Sequence, residues 1–451
     1  MRYVKGVNNP ELTPATRGPR RWPRSWTPGI FHAKTETIAP LEFPVTKWKF
    51  ALLLTQVGIY ACLFAPIQLL IGMQASMITR DYKEMVLSVV TGCGAFMAMF
   101  ATPIFGALSD RTYSKYGRRA PWVLGGVLFG IFAMMGLTLS WSPWALAGSW
   151  VLVQGALNAS FIAINAIPND SVRVEYRGEM GGWLGAGQNL GALLGVGLAT
   201  LCTNLVDGYQ GIVVAYVILA LLLTVCVAPY LLKSNDRFLG ARRDPITVTQ
   251  FFRRFWIPPH KYPDFIWTWL SRLFMFTAFM TIALYLLYYL EDVLHYPNPA
   301  TGVLILSTIY AVLTMITSFI IGFVADYLMK YRRLIFISSV IMGIGSLILA
   351  FLQTWTWTIF AAVFIGIGHG IFIAVSFAIT TRVLPPTDDS GRDLGVFNMS
   401  ATFPQVLSPI FGVPVIVLIA SYSMGYTVLF GAMTVMFLIG GLMIFKVKSV
   451  E

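Results

Sequence analysis

The feature of this chain that most restricts its fold is a series of long apolar runs. A helix needs roughly 20 apolar residues to cross a bilayer. Runs of about this length lie at 50–72, 85–109, 121–141, 144–168, 180–205, 210–232, 265–290, 300–325, 334–353, 357–381, 394–421 and 424–446. Charged residues make up 12% of the chain, against about 25% in a typical soluble domain. We therefore expect an all-α integral membrane protein with twelve transmembrane helices.

The basic residues are distributed unevenly between the two sides of such a bundle. With the N-terminus placed inside, all but three of the 32 Lys and Arg residues fall in inner segments; Arg80 and Lys83 fall outside, and Arg272 falls within a helix. Cytoplasmic loops collect Lys and Arg, so this asymmetry predicts a multi-pass protein of the cell membrane with both termini in the cytoplasm. The net charge of +12 then follows from topology, and it gives no reason to expect a nucleic-acid partner.

A short charged loop occurs twice, with the copies about half a chain apart. It consists of Gly106, Asp110, Arg111, Gly117, Arg118 and Arg119 in the first copy and of Asp326, Arg332 and Arg333 in the second. The repeat indicates two pseudo-symmetric bundles of six helices, an arrangement that points to a transporter rather than to an enzyme. We expect a basic cytoplasmic tail over 1–49, one bundle over 50–232, a cytoplasmic loop over 233–264, and a second bundle with a short cytoplasmic tail over 265–451.

The charges of this loop suggest a gate. Asp110 ends the second predicted helix, within reach of Arg118 or Arg119. Ion pairs buried between the two bundles would hold the inner side shut, whereas hydrated pairs contribute little. The alternative is that these residues only obey the rule that places positive charge inside. Gly106 would let a neighbouring helix pack closely, and Pro121 suits the first turn of the third helix.

Polar side chains within the apolar runs predict the substrate path, because polar groups in lipid are costly and usually face the bundle interior. They are Gln154, Asn158 and Asn165 on helix four, Asn398, Thr402 and Gln405 on helix eleven, Gln188 and Asn189 on helix five, and Gln56 and Tyr60 on helix one. Amide and hydroxyl groups suit a neutral, hydroxyl-rich solute. The alternative for each residue is a hydrogen bond that only holds two helices together.

Two titratable side chains lie deep in the predicted spans. Arg272 lies about two turns into helix seven, and it either lines the inner cavity or extends to the cytoplasmic interface. His369 lies mid-span in helix ten among glycines. A packed neutral histidine is a common outcome, but this side chain is also able to titrate near neutrality.

Other motifs give no sign of a cofactor, a metal or an enzyme. Two glycine-rich strings, which begin at Gly181 and Gly366, faintly resemble phosphate-binding turns, but both lie inside membrane-length runs. Gly187, Gly191 and Gly195 recur every four residues, a spacing that lets two helices approach closely in lipid. The four cysteines match no metal or disulfide pattern, the histidines do not cluster, and no nucleophile–base pair is recognisable.

The first charged loop also carries a family resemblance. The string Ser109-Asp-Arg-Thr-Tyr-Ser-Lys-Tyr-Gly-Arg-Arg-Ala-Pro-Trp122 resembles the signature loop of the major facilitator superfamily. It is similar above all to the branch that includes sucrose transporters and glycoside–pentoside–hexuronide symporters. The resemblance implies a twelve-helix fold over about residues 45–448 and a gating role for the loop.

The resemblance also implies acidic residues within the early helices that help to bind a driving cation. None of the 20 Asp and Glu residues of this chain is predicted to lie mid-membrane in the first six helices. A sodium site built on carboxylates is therefore not expected. Proton coupling through His369 and simple facilitated diffusion both stay open.

We therefore predict a monomeric secondary transporter that takes up a neutral sugar or glycoside by alternating access. Its partners are this small-molecule substrate, the lipid bilayer and, in a coupled mechanism, protons. One alternative is an exporter of amphipathic drugs or metabolites, which a mainly aromatic cavity would favour. An alternative of another class is a non-transporting membrane sugar sensor.

Overall fold

The structure, a computed structural model, describes most of the membrane-embedded chain. It covers residues 46–232 (except 113, 115 and 173), 260–383 (except 329), 396, 399–412 (except 411) and 422–448. The side chains of 169, 174–178, 323–328, 377–378, 380–382 and 422–423 are outside this description. The predicted tail over 1–45 and most of the loop over 233–264 lie outside the described residues as well.

Helices account for nearly all of the described chain. The first, α1, spans Thr46–Ile78 and is α-helical over Thr46–Ala65 and Ile71–Ile78, with a π-helical turn at Pro66–Leu70 between them. The others are α2 (Lys83–Arg111), α3 (Ala120–Leu137), α4 (Pro143–Ser171), α5 (Val174–Leu205), α6 (Tyr209–Leu232), α7 (Pro263–Asp292), α8 (Pro299–Leu328), α9 (Tyr331–Phe351), α10 (Trp355–Val383), α11 (described over 399–410) and α12 (Tyr422–Met443, followed by a 3₁₀ turn at Ile444–Lys446).

These elements confirm the predicted all-α membrane fold. Within the described residues, 11 helices are long and apolar enough to cross a membrane. The remaining predicted span, 394–421, is only partly described, and its described part is helical. Proline begins several helices, including Pro121 in the first turn of α3 as predicted, because its missing N–H is not needed there.

The first six helices pack through small residues. Helix α1 lies against α5 and α6, and α4 lies against α2 and α3. A Cβ atom added at Gly187 would lie 2.6 Å from the Leu53 carbonyl oxygen, and one at Gly191 would lie 2.5 Å from that of Val57. The predicted glycine stripe of α5 therefore marks a close helix approach, which the absence of side chains allows.

The last six helices repeat this arrangement. Helix α10 lies against α8 and α9 as α4 lies against α2 and α3, and α12 lies against α7 as α6 lies against α1. The contact of α9 with α12 likewise repeats that of α3 with α6. The chain is thus built of two halves with one pattern of helix neighbours.

The turns between helices alternate between two ends of the bundle. We call the terminal face the end at which α1 begins and α12 finishes; it includes the turn between α2 and α3. We call the far face the opposite end, which is formed by the turns at 79–82, 138–142, 206–208, 293–298 and 352–354.

The two halves meet on the far-face side. Among the described residues, the hydrogen bonds and ion pairs that join the halves all lie there. They connect Gln68 with Ser307, Lys83 with Glu291 and Asp292, Ser88 with Tyr285, Tyr288 with Gly72 and Lys83, Thr200 with Ala300, and Asn204 with Asn298 and Thr301. The far face is therefore closed in this structure.

Candidate substrate pathway and gate

The charged loop at the terminal face is organised around one buried guanidinium. Arg119, whose side chain is 3% exposed, pairs with Asp110 at the end of α2 and with Asp170 at the end of α4. Its Nε lies 2.9 Å from Asp170 Oδ2, and it also donates to Ser109. Arg118 pairs with Asp170 as well. The cluster therefore joins the ends of α2 and α4 to the start of α3.

Electrostatics keeps this cluster ionised. Burial alone would lower the pKa of Arg119, but the charges of Asp170 and Asp110 outweigh burial and raise this pKa above its ordinary value. The guanidinium is then a permanent positive charge, as Arg is in nearly all proteins. Because one arginine holds two carboxylates from different helices, it fixes their relative position.

The glycines of the loop have different roles. Gly117 has a φ of 90°, a left-handed conformation that glycine adopts without strain, and it lets the chain turn into Arg118 and Arg119. A Cβ at Gly106 would lie 3.8 Å from Ile162, an ordinary contact. The expectation that Gly106 permits an unusually close helix approach is therefore wrong, since a methyl group fits there.

The ion pairs of the first copy do not bridge the halves in this structure. Asp110 pairs with Arg119 as the sequence suggested, and the partners of this cluster among the described residues belong to the first half. Asp170 was not among the predicted gate residues. The available signal was its position just after the apolar run 144–168, at the same predicted face as Arg118 and Arg119. Arg111 is half-buried at the end of α2.

The second copy of the loop is described only in part. The side chain of Asp326 lies outside the described residues. Arg332 Nη1 donates to the Val447 carbonyl oxygen at 2.8 Å, and Arg333 is exposed at the start of α9. In this copy an arginine therefore attaches the segment that follows α12 to α9.

In the predicted polar stripe of α4, Gln154 and Asn158 are buried and Asn165 is half-buried, and the amides are partly satisfied within the helix itself. The Asn158 amide donates to the backbone oxygen and to Oε1 of Gln154, both at 2.8 Å. Asn165 Nδ2 donates to the Phe161 oxygen at 2.7 Å. Tyr60 of α1 packs against Phe161, with ring centroids 5.5 Å apart. The aromatic ring of this part of α4 thus faces α1, whereas the amide hydrogen bonds lie within α4.

Other predicted residues of the path differ in their surroundings. Gln56 is fully buried against Gly187, and neither amide atom has a hydrogen-bond partner among the described residues. Gln188 is half-buried, whereas Asn189 is exposed and bonds to the Gly185 oxygen. On α11, Thr402 and Gln405 are half-buried, and Asn398 lies outside the described residues.

Arg272 and His369 lie close together in the second half. Arg272 Nη1 donates to Ser376 at 3.3 Å, and its guanidinium lies 5.1 Å from the ring centre of Phe276. His369 is 6% exposed, its Nδ1 lies 2.7 Å from the Tyr310 hydroxyl, and its Nε2 has no partner among the described residues. The structure thus brings together two residues that were predicted separately.

Aromatic rings surround this pair. Phe279 stacks on His369 with centroids 4.6 Å apart, and Phe276 meets it edge-on at 5.7 Å. Phe279 also stacks on Tyr310 at 5.0 Å. Stacked rings beside hydrogen-bonding groups can hold a ligand that has both flat apolar faces and polar edges.

A pocket adjoins this aromatic group where α1 meets α7, α8 and α10. It holds about 530 Å³ of empty space, part of it open to the outside, and its mainly apolar wall includes Gln68, Phe279, Ser307, Tyr310, Thr358 and Ile365. Gln68 lies in the π-helical turn of α1 and accepts a hydrogen bond from Ser307 at 3.2 Å. The sequence analysis did not select Gln68; the signal was Pro66, since proline disturbs helical hydrogen bonding and π-turns often lie at functional sites.

The comparison with protein families decides the identity of the chain. The sequence profile of the Major Facilitator Superfamily matches residues 56–307 and 300–451. The chain belongs to this superfamily. It is therefore a multi-pass membrane transporter with a small-molecule substrate, and it is not an enzyme.

Curated relatives of this transporter match it over short stretches. A sucrose transport protein of Arabidopsis thaliana is 31% identical over 106 residues, or 22% of this chain and 20% of the relative. A general alpha-glucoside permease of Schizosaccharomyces pombe is 30% identical over 130 residues, or 24% and 23%. An uncharacterised symporter of Synechocystis is 36% identical over 75 residues, or 14% and 13%. The matched segments thus span less than a quarter of each relative.

Solved structures resemble this transporter over most of its length. The peptide transporter POT in complex with alafosfalin has a TM-score of 0.68 at 15% identity, covering 89% of this chain and 94% of the other. The nucleoside transporter NupG gives 0.67 at 12%, covering 89% and 99%. A bacterial homologue of the human lysosomal transporter Spinster, inward-facing and unoccupied, gives 0.68 at 15%, covering 90% and 98%. These likenesses concern the fold.

Proposed function

We propose that this transporter carries a neutral sugar or glycoside across the cell membrane by alternating access. The observation that carries the proposal is the pairing of aromatic rings with uncharged hydrogen-bonding groups in both halves: Tyr60 and Phe161 beside Asn165, and Phe279 and Tyr310 beside His369. Rings pack on the apolar faces of a sugar, while amides and hydroxyls bond to its hydroxyl groups. The short matches to a sucrose transport protein and an alpha-glucoside permease support the same class.

The direction of opening follows from the contacts between the halves. Because their described bonds lie on the far-face side, the substrate reaches the pathway from the terminal face in this state. The excess of basic residues at the terminal face supports a cytoplasmic position for it. The two six-helix bundles, 50–232 and 265–451, then rock against each other around a central site, and uptake is the direction of transport. The transporter works as a monomer.

The charged loop is the cytoplasmic gate in this proposal. Its ion pairs connect the end of α2, the start of α3 and the end of α4 within the first half, so the loop and these helix ends move as one rigid unit. When the terminal face closes, this unit meets the second copy of the loop, which contains Arg332 and Arg333 of the second half. His369 is the residue proposed to couple transport to protons, because an imidazole can bind and release a proton and its buried Nε2 has no partner among the described residues.

One observation favours a second candidate function. The pocket next to His369 has a mainly apolar wall, which suits the export of an amphipathic drug or metabolite as well as the binding of a glycoside with an apolar group.

Uptake by the purified protein tests both candidates. Proteoliposomes would be offered a radiolabelled panel of sucrose, maltose, glucose and phenyl glucosides, with protein-free liposomes as the control. We expect at least one sugar or glycoside to enter several-fold faster than in the control. If no sugar enters but an apolar fluorescent dye is moved, the exporter is correct and the sugar proposal is wrong.

A further inference from the structure

The closed far face contains charged groups from both halves in a buried position. Lys83 at the start of α2 lies 2.6 Å from Asp292 Oδ1 and 3.4 Å from Glu291 Oε1 at the end of α7. The Lys83 side chain is only 7% exposed, that of Asp292 is 14% exposed, and that of Glu291 is 43% exposed. The lysine thus connects the two halves where little water reaches it.

A second carboxyl group lies beside this pair. Glu84 is 2% exposed, and its Oε1 has no hydrogen-bond partner among the described residues. Asp292 Oδ2 is likewise buried without a partner there. Glu84 lies within electrostatic reach of Lys83, Asp292 and Glu291. A buried carboxylate oxygen that accepts no hydrogen bond is costly, and a buried acid usually takes up a proton instead.

Counting charges leads to the same conclusion. Lys83 supplies one positive charge. Glu84 and Asp292, which are buried in the closed far face, would together supply two negative charges, and Glu291 lies at its exposed edge. The other titratable groups that face the cluster are Tyr285 and Tyr288 of α7, Tyr426 of α12 and His295 after α7. Tyr285 bonds to Ser88 at 2.6 Å, and Tyr288 bonds to the Gly72 oxygen at 3.0 Å. The tyrosines add no positive charge, and Glu291 and His295 are exposed to solvent. The buried groups Lys83, Glu84 and Asp292 are therefore neutral together only if one of the two carboxyl groups is protonated.

We propose that the closed far face binds one proton on Glu84, which shares the buried site with the Lys83–Asp292 ion pair. When α2 and α7 separate, water reaches Glu84 and the proton leaves to the far side. This site lies in the closed far face, apart from the aromatic group that contains His369. It sets the balance between the two conformations and does not depend on which substrate is carried.

The sign of the pH effect follows from linkage. The closed far face holds one more proton than the open one, so acid favours closure and alkali favours opening. The shift cannot exceed tenfold per pH unit, because a single proton is involved. The described residues contain no group of three or more His, Cys, Asp and Glu side chains suited to a metal ion, and the lysine further disfavours a cation.

The test measures the conformation directly, without substrate. Spin labels would be attached at Leu139→Cys and Leu352→Cys, two exposed far-face positions in different halves, after the four native cysteines are replaced by alanine. Distances would be recorded by pulsed electron resonance in nanodiscs between pH 5 and pH 9. We expect the ratio of long to short distances to rise several-fold with pH. Glu84→Gln, which imitates the protonated group, should hold the short distance at every pH.

The matched control is Asp207→Asn, which removes one charge from an exposed far-face position and should keep the pH response. Lys83→Gln covers the case in which Glu84→Gln fails to fold; without the lysine, closure should need a lower pH but should still occur. A wild-type ratio that is independent of pH, or an unchanged response in Glu84→Gln, would overturn the proposal. So would a response to sodium at constant pH. None of these outcomes bears on sugar uptake, which fails or succeeds separately.

Discussion

At the scale of single residues, burial decides how much each charge contributes to the stability of the ion-pair cluster around Arg119 at the terminal face. Arg119 is almost fully buried, Asp170 is 12% exposed and Asp110 is 48% exposed. Removing one partner of a buried ion pair costs about 3–5 kcal/mol, because the other charge is left without compensation. A half-exposed partner contributes less than about 1 kcal/mol. The two aspartates of one cluster are therefore not equivalent.

We predict that Asp170→Asn destabilises the transporter much more than Asp110→Asn does. Asp170 neutralises two arginines, Arg118 and Arg119, whereas Asp110 contacts one of them from the surface. Thermal unfolding in detergent would measure the difference, with Asp207→Asn as a control for loss of an exposed acidic charge. An equal or larger effect of Asp110→Asn would contradict this account of the cluster.

At the scale of helices, the contact between α1 and α5 depends on residues without side chains. Gly191 lies against the backbone of Val57 and against Tyr60, which is a candidate substrate residue. A side chain at Gly191 would push α1 away and would move Tyr60 with it. The helix contact and the shape of the pathway are thus determined together.

We predict that Gly191→Ala lowers the unfolding temperature and the yield of folded protein. Its Cβ would lie 2.5 Å from the Val57 oxygen, too close for the backbone to accept. Gly185→Ala on the same helix is the matched control, since nothing lies within 4 Å of its Cβ. Alanine favours helix by about 1 kcal/mol over glycine, so Gly185→Ala should be neutral or stabilising. Similar losses in both variants would argue against the close contact.

At the scale of the whole molecule, the far face must open if the two halves rock. Asn204 of α5 donates to Thr301 of α8 at 3.0 Å, so these residues offer a place to fix the closed form. We predict that Asn204→Cys with Thr301→Cys, joined by oxidation, stops transport and that reduction restores it. Each single variant is the control. Undiminished uptake by the joined protein would mean that far-face opening is not part of the cycle.

The helices and the membrane class were predictable from the sequence because they depend on local properties. Apolar runs of sufficient length must become helices in lipid, where every backbone polar group needs an internal partner. The glycine stripe of α5 and Pro121 at the start of α3 were recognisable for the same reason, since spacing along one helix is enough to identify them. The match of the chain to the Major Facilitator Superfamily agrees with these local features.

What the sequence by itself determined is the transmembrane character, the helices and the two related halves of this protein. Only the tertiary structure decided that Asp170 completes the charge cluster, that Arg272 and His369 both contact Phe276, and that Glu84 is buried within electrostatic reach of Asp292 in the other half. Each of these contacts joins residues that belong to different helices. Whether a side chain is buried or paired depends on neighbours that arise from packing, and spacing along one helix does not specify them.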